Sequence, residues 1–146
     1  HGRHKEVSGW DFGIDHPTTV VIGYYDQYLD HLYIVDEICV RNNSIDTTIL
    51  NYKKKLKEHN LNVREEFCDP SGKKRSEASP RTSIQTMLDS GLNPRYLTSY
   101  ISDGIAIGNN LFEKMRVTIH PRCVNLISSL EFLTKLSSNT KKRKLL

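Results

Sequence analysis

Residues 9–23, GWDFGIDHPTTVVIG, place an acid, a turn and a β-branched run in immediate succession, and any fold for this chain must accommodate all three. The short lead-in Glu6-Val7-Ser8-Gly9-Trp10 runs into Asp11. Gly13 and the polar run Asp15-His16-Pro17-Thr18-Thr19 make a turn, and Thr18 to Tyr25 reads as a second strand. Asp11 then stands at a strand end beside a hairpin turn, held rigidly with one side open. Metal-assisted chemistry needs that arrangement. An edge-strand acid that blunts aggregation would fit the same stretch, so Asp11 alone does not decide.

Farther along, His31 to Val40 (HLYIVDEICV) reads as a third strand, largely apolar and expected to be central. Short turns join these segments, so they are expected to form an antiparallel meander. Asp36 and Glu37 interrupt the third strand, and only one of them can face a site on the sheet. Glu37 reads first as a strand-end acid paired with a nearby base, and second as an outer partner of a metal site. Ser44 is a plausible N-cap. Ile45, Ile49, Tyr52 and Leu56 mark one face of a helix that should stop near His59-Asn60. Leu61 to Cys68 is then a fourth strand, with Asp69 at its end.

A helix between strands three and four implies a crossover, which sets strand four parallel to strand one. Parallel neighbours carry their C-terminal ends on the same edge, so Asp11 and Asp69 are expected to converge. Two such carboxylates repel unless a cation sits between them. Hard oxygen ligands suit Mg²⁺ or Mn²⁺.

Past Asp69, residues 73–80 (KKRSEASP) read as a mobile basic loop beside the acids. Helices are expected over Ser83–Ser90 (with Gly91 at C′), Ser99–Lys114 and Pro121–Leu133, the last with Pro121 at N1. Short strands are expected at Asn93–Thr98 and Arg116–His120. The domain is expected over residues 9–136, with 1–8 a tag remnant or linker and 137–146 a basic tail or truncated loop.

Composition narrows the class. A chain of 146 residues with 37% hydrophobic and 26% charged residues suits one globular domain. No run of about 18 apolar residues is present to span a membrane. Cys39, Cys68 and Cys123 are odd in number and unpaired in spacing, which points to reduced thiols. His120-x-x-Cys123 resembles half a zinc site without its second half. The net charge of +4 (21 basic minus 17 acidic) is clumped at residues 53–55, 73–75 and 141–144. Clumped bases suggest an anionic partner, most often nucleic acid. A solvated helix face and a disordered tail are the plain alternatives for the first and last clusters.

The order of features resembles the C-terminal nuclease domain of the large terminase subunit of tailed bacteriophages. The matching pieces are Gly9-Trp10-Asp11-Phe12-Gly13 with His16-Pro17-Thr18-Thr19, then Leu32-Tyr33-Ile34-Val35-Asp36-Glu37 and Cys68-Asp69-Pro70-Ser71. Ser102-Asp103-Gly104-Ile105 follows, and last comes Ile119-His120-Pro121-Arg122-Cys123 with Leu126-Ile127 and Glu131.

The resemblance implies an RNase H-like α/β fold: a mixed sheet of an antiparallel three-strand meander plus parallel strands, flanked by helices. It implies a metal-dependent endonuclease that cuts concatemeric viral DNA during packaging, using two Mg²⁺ or Mn²⁺ ions. Asp11 and Asp69 match the first two metal-binding acids, with Asp11 bridging, and Lys73, Lys74 and Arg75 would hold flanking phosphates of double-stranded DNA. The implied partners are the terminase ATPase domain, the small terminase subunit and the portal, and the setting is the cytoplasm of an infected bacterium. Two departures stand out. The family's late acid, in a segment of the form Asn-His-x-x-Asp-Ala-x-Arg-Tyr, has no match, which leaves Asp103, Glu131 or an acid beyond Leu146, the last being favoured. Thr98 and Ser99 stand where the family often has a lysine. No Walker A pattern occurs. A non-catalytic DNA-binding or scaffold domain of the same fold, or a Holliday-junction resolvase-like nuclease, are the competing functions.

Overall fold

The computed structural model describes residues 4–13, 17–41, 44–69, 82–96 and 116–131. Strands β1 (His4–Asp11), β2 (Thr18–Asp26) and β3 (His31–Val40) form the expected antiparallel meander. Helix α1 (Ile45–Glu58) crosses to β4 (Glu66–Cys68), which lies parallel to β1. Helix α2 (Ser83–Asp89), β5 (Pro94–Tyr96) and β6 (Val117–Ile119) follow, and residues 124–131 form a last helical segment, α3. The six strands are ordered β5-β4-β1-β2-β3-β6. This is the mixed α/β sheet with flanking helices that the sequence implies.

Local chemistry explains where the helices begin and end. The Ser44 side chain accepts from the Thr47 amide at the start of α1, as its N-cap position predicts. At the other end Asn60 takes φ of 53°, Leu61 N–H donates to Leu56 O at 2.9 Å and Asn60 N–H to Lys57 O at 3.2 Å. That pair of bonds is a Schellman stop. The same pair ends α2, where Gly91 takes φ of 84°.

The sheet differs from expectation in several places. β1 starts at His4, inside the stretch read as tag or linker. β3 is an interior strand, as expected, paired with β2 on one side and β6 on the other, although β1 and β2 hold the middle. The fourth strand is only Glu66–Cys68; Leu61 is spent on closing α1, and the chain between is irregular. Pro121 does not open the last helix. Residues 121–122 form a turn, and helix starts at residue 124. The expected helix over residues 99–114 and the loop over 73–80 lie outside the described residues.

Among the described residues a core cluster lies between one sheet face and helices α1 and α2. Trp10, Val20, Ile22, Ile38 and Cys68 from the sheet meet Ile49 and Tyr52 of α1 and Met87 of α2. The β2–β3 register jumps between Ile22 and Gly23, leaving Val35 as the extra residue of a bulge. At Gly23 a Cβ would collide with the Tyr33 carbonyl, so the close approach of the strands requires glycine there.

Candidate metal centre

The three register pairs of β1 with β4 are Ser8–Glu66, Gly9–Phe67 and Trp10–Cys68. The Asp69 amide continues the ladder, donating to the Trp10 carbonyl at 2.9 Å. One step further the register sets Asp11 level with Asp69. Each acid follows a buried residue, Trp10 or Cys68, so both leave the sheet on the face away from the core, and both are exposed. Neighbouring strands lie about 4.8 Å apart. The parallel pairing read from the crossover is thus present, and the register extended by one step puts these two residues on adjacent strands.

The surroundings of this pair are built from the hairpin. Asp11 faces Thr19 across β2, and Thr19 faces Cys39 on β3. The hairpin turn is closed by Gly13 N–H donating to Thr18 Oγ1 at 3.1 Å. Two adjacent, solvent-facing carboxylates are the donor set that a hard divalent cation takes. Among the described residues no group of three His, Cys, Asp or Glu completes a ligand set, and Glu131 does not join the pair. Asp103, Lys73, Lys74 and Arg75 lie outside the described residues.

The acids of β3 are committed elsewhere. Asp36 is buried toward α1, with Lys55 Nζ 2.9 Å from one oxygen and His59 Nε2 2.8 Å from the other. Burial pushes its pKa up, but the hydrogen bonds from His59 and Lys55 outweigh burial and hold it below the ordinary carboxylate value. Glu37 faces the opposite way. Its carboxylate accepts from Asn125 N–H at 2.7 Å, from Asn125 Nδ2 at 3.1 Å and from Leu126 N–H at 3.0 Å. It caps α3, accepting from backbone and side-chain amides of that helix rather than pairing with the base expected from sequence. Cys123, at the position preceding α3, has no side chain suited to that role.

The half zinc motif is also engaged. His120 Nδ1 accepts from Arg122 N–H at 3.1 Å and from Arg122 Nε at 2.9 Å. Cys123 is buried, and burial followed by the nearby Glu37 and Asp36 carboxylates pushes its thiol up to about 11. A thiol held protonated is a poor zinc ligand. The lysine cluster at 53–55 is partly tied down, Lys53 to the Ser90 carbonyl and Lys55 to Asp36.

Sequence reasoning missed one group of residues behind the acids. The buried Glu66 carboxylate accepts from the Tyr52 hydroxyl and the Asn93 amide, and Tyr52 in turn meets Ser8. The only local signal was an acid inside a short strand.

No protein-family model matches the chain, and no curated protein matches it. Solved structures do. The P22 large terminase nuclease domain is 13% identical with a TM-score of 0.62, covering 86% of this chain and 66% of that one. The large terminase nuclease domain of bacteriophage SPP1, solved with bound Mn, is 22% identical with a TM-score of 0.61 and the same coverage, 86% and 66%. A large terminase from a thermophilic bacteriophage is 16% identical with a TM-score of 0.62, covering 85% of this chain and 30% of that one. The chain thus spans 66% of the length of those nuclease domains and 30% of that large terminase. Its fold is the RNase H-like fold of large terminase nuclease domains.

Proposed function

We propose that this chain is a metal-dependent DNA endonuclease domain acting in the packaging of bacteriophage DNA. What supports the reading is the parallel β1–β4 register, from which Asp11 and Asp69 are inferred to be neighbours on one sheet face. The likeness of fold to large terminase nuclease domains supports it, and so does the Mn bound in the SPP1 domain. Asp11 and Asp69 would hold Mg²⁺ or Mn²⁺, two ions in the full reading. Such ions would supply an activated water and offset charge on the phosphodiester.

The chain's own residues have simpler tasks. The β1–β4 ladder would fix the two acids relative to each other, and Asp11 is exposed. Lys73, Lys74 and Arg75 would grip flanking phosphates without reading sequence. Double-stranded DNA, an ATPase domain, a small terminase subunit and a portal are the proposed partners, in the cytoplasm of an infected bacterium. The third acid is proposed to come from Asp103 or from beyond Leu146.

The test combines Mn²⁺ calorimetry with cleavage of supercoiled DNA. Saturable Mn²⁺ uptake and nicking, both lost in Asp11→Asn and Asp69→Asn, support the reading. DNA binding with no saturable Mn²⁺ uptake would instead identify a non-catalytic DNA-binding or scaffold domain, a reading favoured by the lack of a third acid among the described residues. Cleavage confined to four-way junctions would identify a resolvase.

A further inference from the structure

β4 is three residues long, Glu66-Phe67-Cys68, and its ladder with β1 has three pairs. Apolar burial does not explain the register it adopts. Glu66 is 2% exposed and faces the core with Cys68, while Phe67 is only half-buried and faces away. A slip of one residue would turn Phe67 inward and Glu66 outward. Transfer free energy alone does not choose between the two, because the slip would bury the Phe67 ring and free the Glu66 carboxylate but would expose Cys68 and bury the Asp69 carboxylate. The same slip would carry Asp69 to the face of α1 and part it from Asp11.

Hydrogen bonds favour the register observed. The Tyr52 hydroxyl donates to Glu66 Oε1 at 3.2 Å, and the Asn93 amide donates to Glu66 Oε2 at 2.8 Å. Tyr52 OH also lies 3.0 Å from Ser8 Oγ, which accepts from Trp10 Nε1 at 3.1 Å. Ser8 is the register partner of Glu66. Four elements therefore converge on one buried carboxylate: β1, α1, β4 and the lead into β5. Leaving those buried donors without acceptors would cost more than the slip gains.

We propose that Glu66, held by Tyr52 and Asn93, is a positioning residue that selects the β4 register and so sets Asp69 level with Asp11. Its functional consequence rests on the reading of those acids as a metal pair, but the register is measurable without metal.

Three variants of the 146-residue chain test it: Glu66→Ala, Glu66→Gln and Tyr52→Phe. Circular dichroism reads the fold, cross-strand NOE contacts between the register partners Gly9 and Phe67 read the register, and calorimetry reads Mn²⁺ affinity. Glu66→Ala removes both acceptors and offers little apolar surface in their place, so it should keep its secondary structure, lose the Gly9–Phe67 contacts and bind Mn²⁺ at least about tenfold more weakly. Glu66→Gln should retain both, since its oxygen can accept from Asn93 and its amide can donate to Tyr52. Tyr52→Phe keeps the ring and removes one donor, so it should move both readouts in the same direction by less; it decides the matter if Glu66→Ala does not fold. A folded Glu66→Ala or Tyr52→Phe with native Gly9–Phe67 contacts would overturn the proposal. A wild-type chain that takes up no Mn²⁺ would sink the metal reading alone, and the NOE contacts would still decide the register.

Discussion

Asp36 Oδ2 lies 2.8 Å from His59 Nε2, joining the middle of β3 to the C-cap of α1. Lys55 occupies the other oxygen, so one buried carboxylate fastens the last turn of the helix to the sheet. A carboxylate whose folded-state pKa is lowered stabilises the fold above its ordinary pKa of 3.8, and that contribution is lost as pH falls through the lowered value. Asp36→Asn should lose about 2 kcal/mol near neutral pH, the loss expected for hydrogen bonds to a charged group. Thermal melts across the acid range should show a shallower acid limb in the variant than in wild type. Parallel limbs would mean that other acids set the acid sensitivity.

Substitution at the paired acids should behave in the opposite way when no metal is present. Asp11 and Asp69 are exposed and share one sheet face, so Asp11→Asn or Asp69→Asn relieves repulsion and should leave the melting temperature equal or higher. Addition of Mn²⁺ at about 100 times its Kd should stabilise wild type by about 2.7 kcal/mol. The variants should gain much less. Strong destabilisation of either variant without metal would make the acid structural.

Removal of the Glu37 carboxylate should loosen α3 rather than the sheet. Glu37→Ala strips acceptors from the Asn125 and Leu126 amides and should cost about 1 to 2 kcal/mol, the usual cost of a lost N-cap. Hydrogen exchange should show faster opening confined to residues 124–131, with β2 and β3 unchanged. Uniform loss of protection across the sheet would contradict a capping role.

The basic loop is tested by salt. Replacing Lys73, Lys74 and Arg75 with alanine should weaken DNA binding equally on all sequences. The slope of log affinity against log salt should flatten by roughly 2 to 3, if each side chain releases about one counterion. An unchanged slope would leave these three residues as solvated surface.

The sequence by itself determined the parts that depend on near neighbours. The strand runs of β2 and β3, the Ser44 cap and the glycine stop at Gly91 follow from alternation and backbone preference within a few residues. Because α1 separates β3 from β4, the parallel pairing of β4 with β1 was also legible, through handedness and connection length. Tertiary structure decided the rest. The place of β3 in the sheet depends on β6, far along the chain, pairing outside it. Whether an acid is a ligand, a cap or an anchor depends on partners equally distant in sequence. Glu37 meets Asn125 88 positions away, and Glu66 meets Asn93 27 positions away. The register of β4 shows the reason most plainly. Its local pattern does not decide between burying Phe67 and burying Glu66 with Cys68, and the donors brought in by α1 and the lead into β5 favour the second.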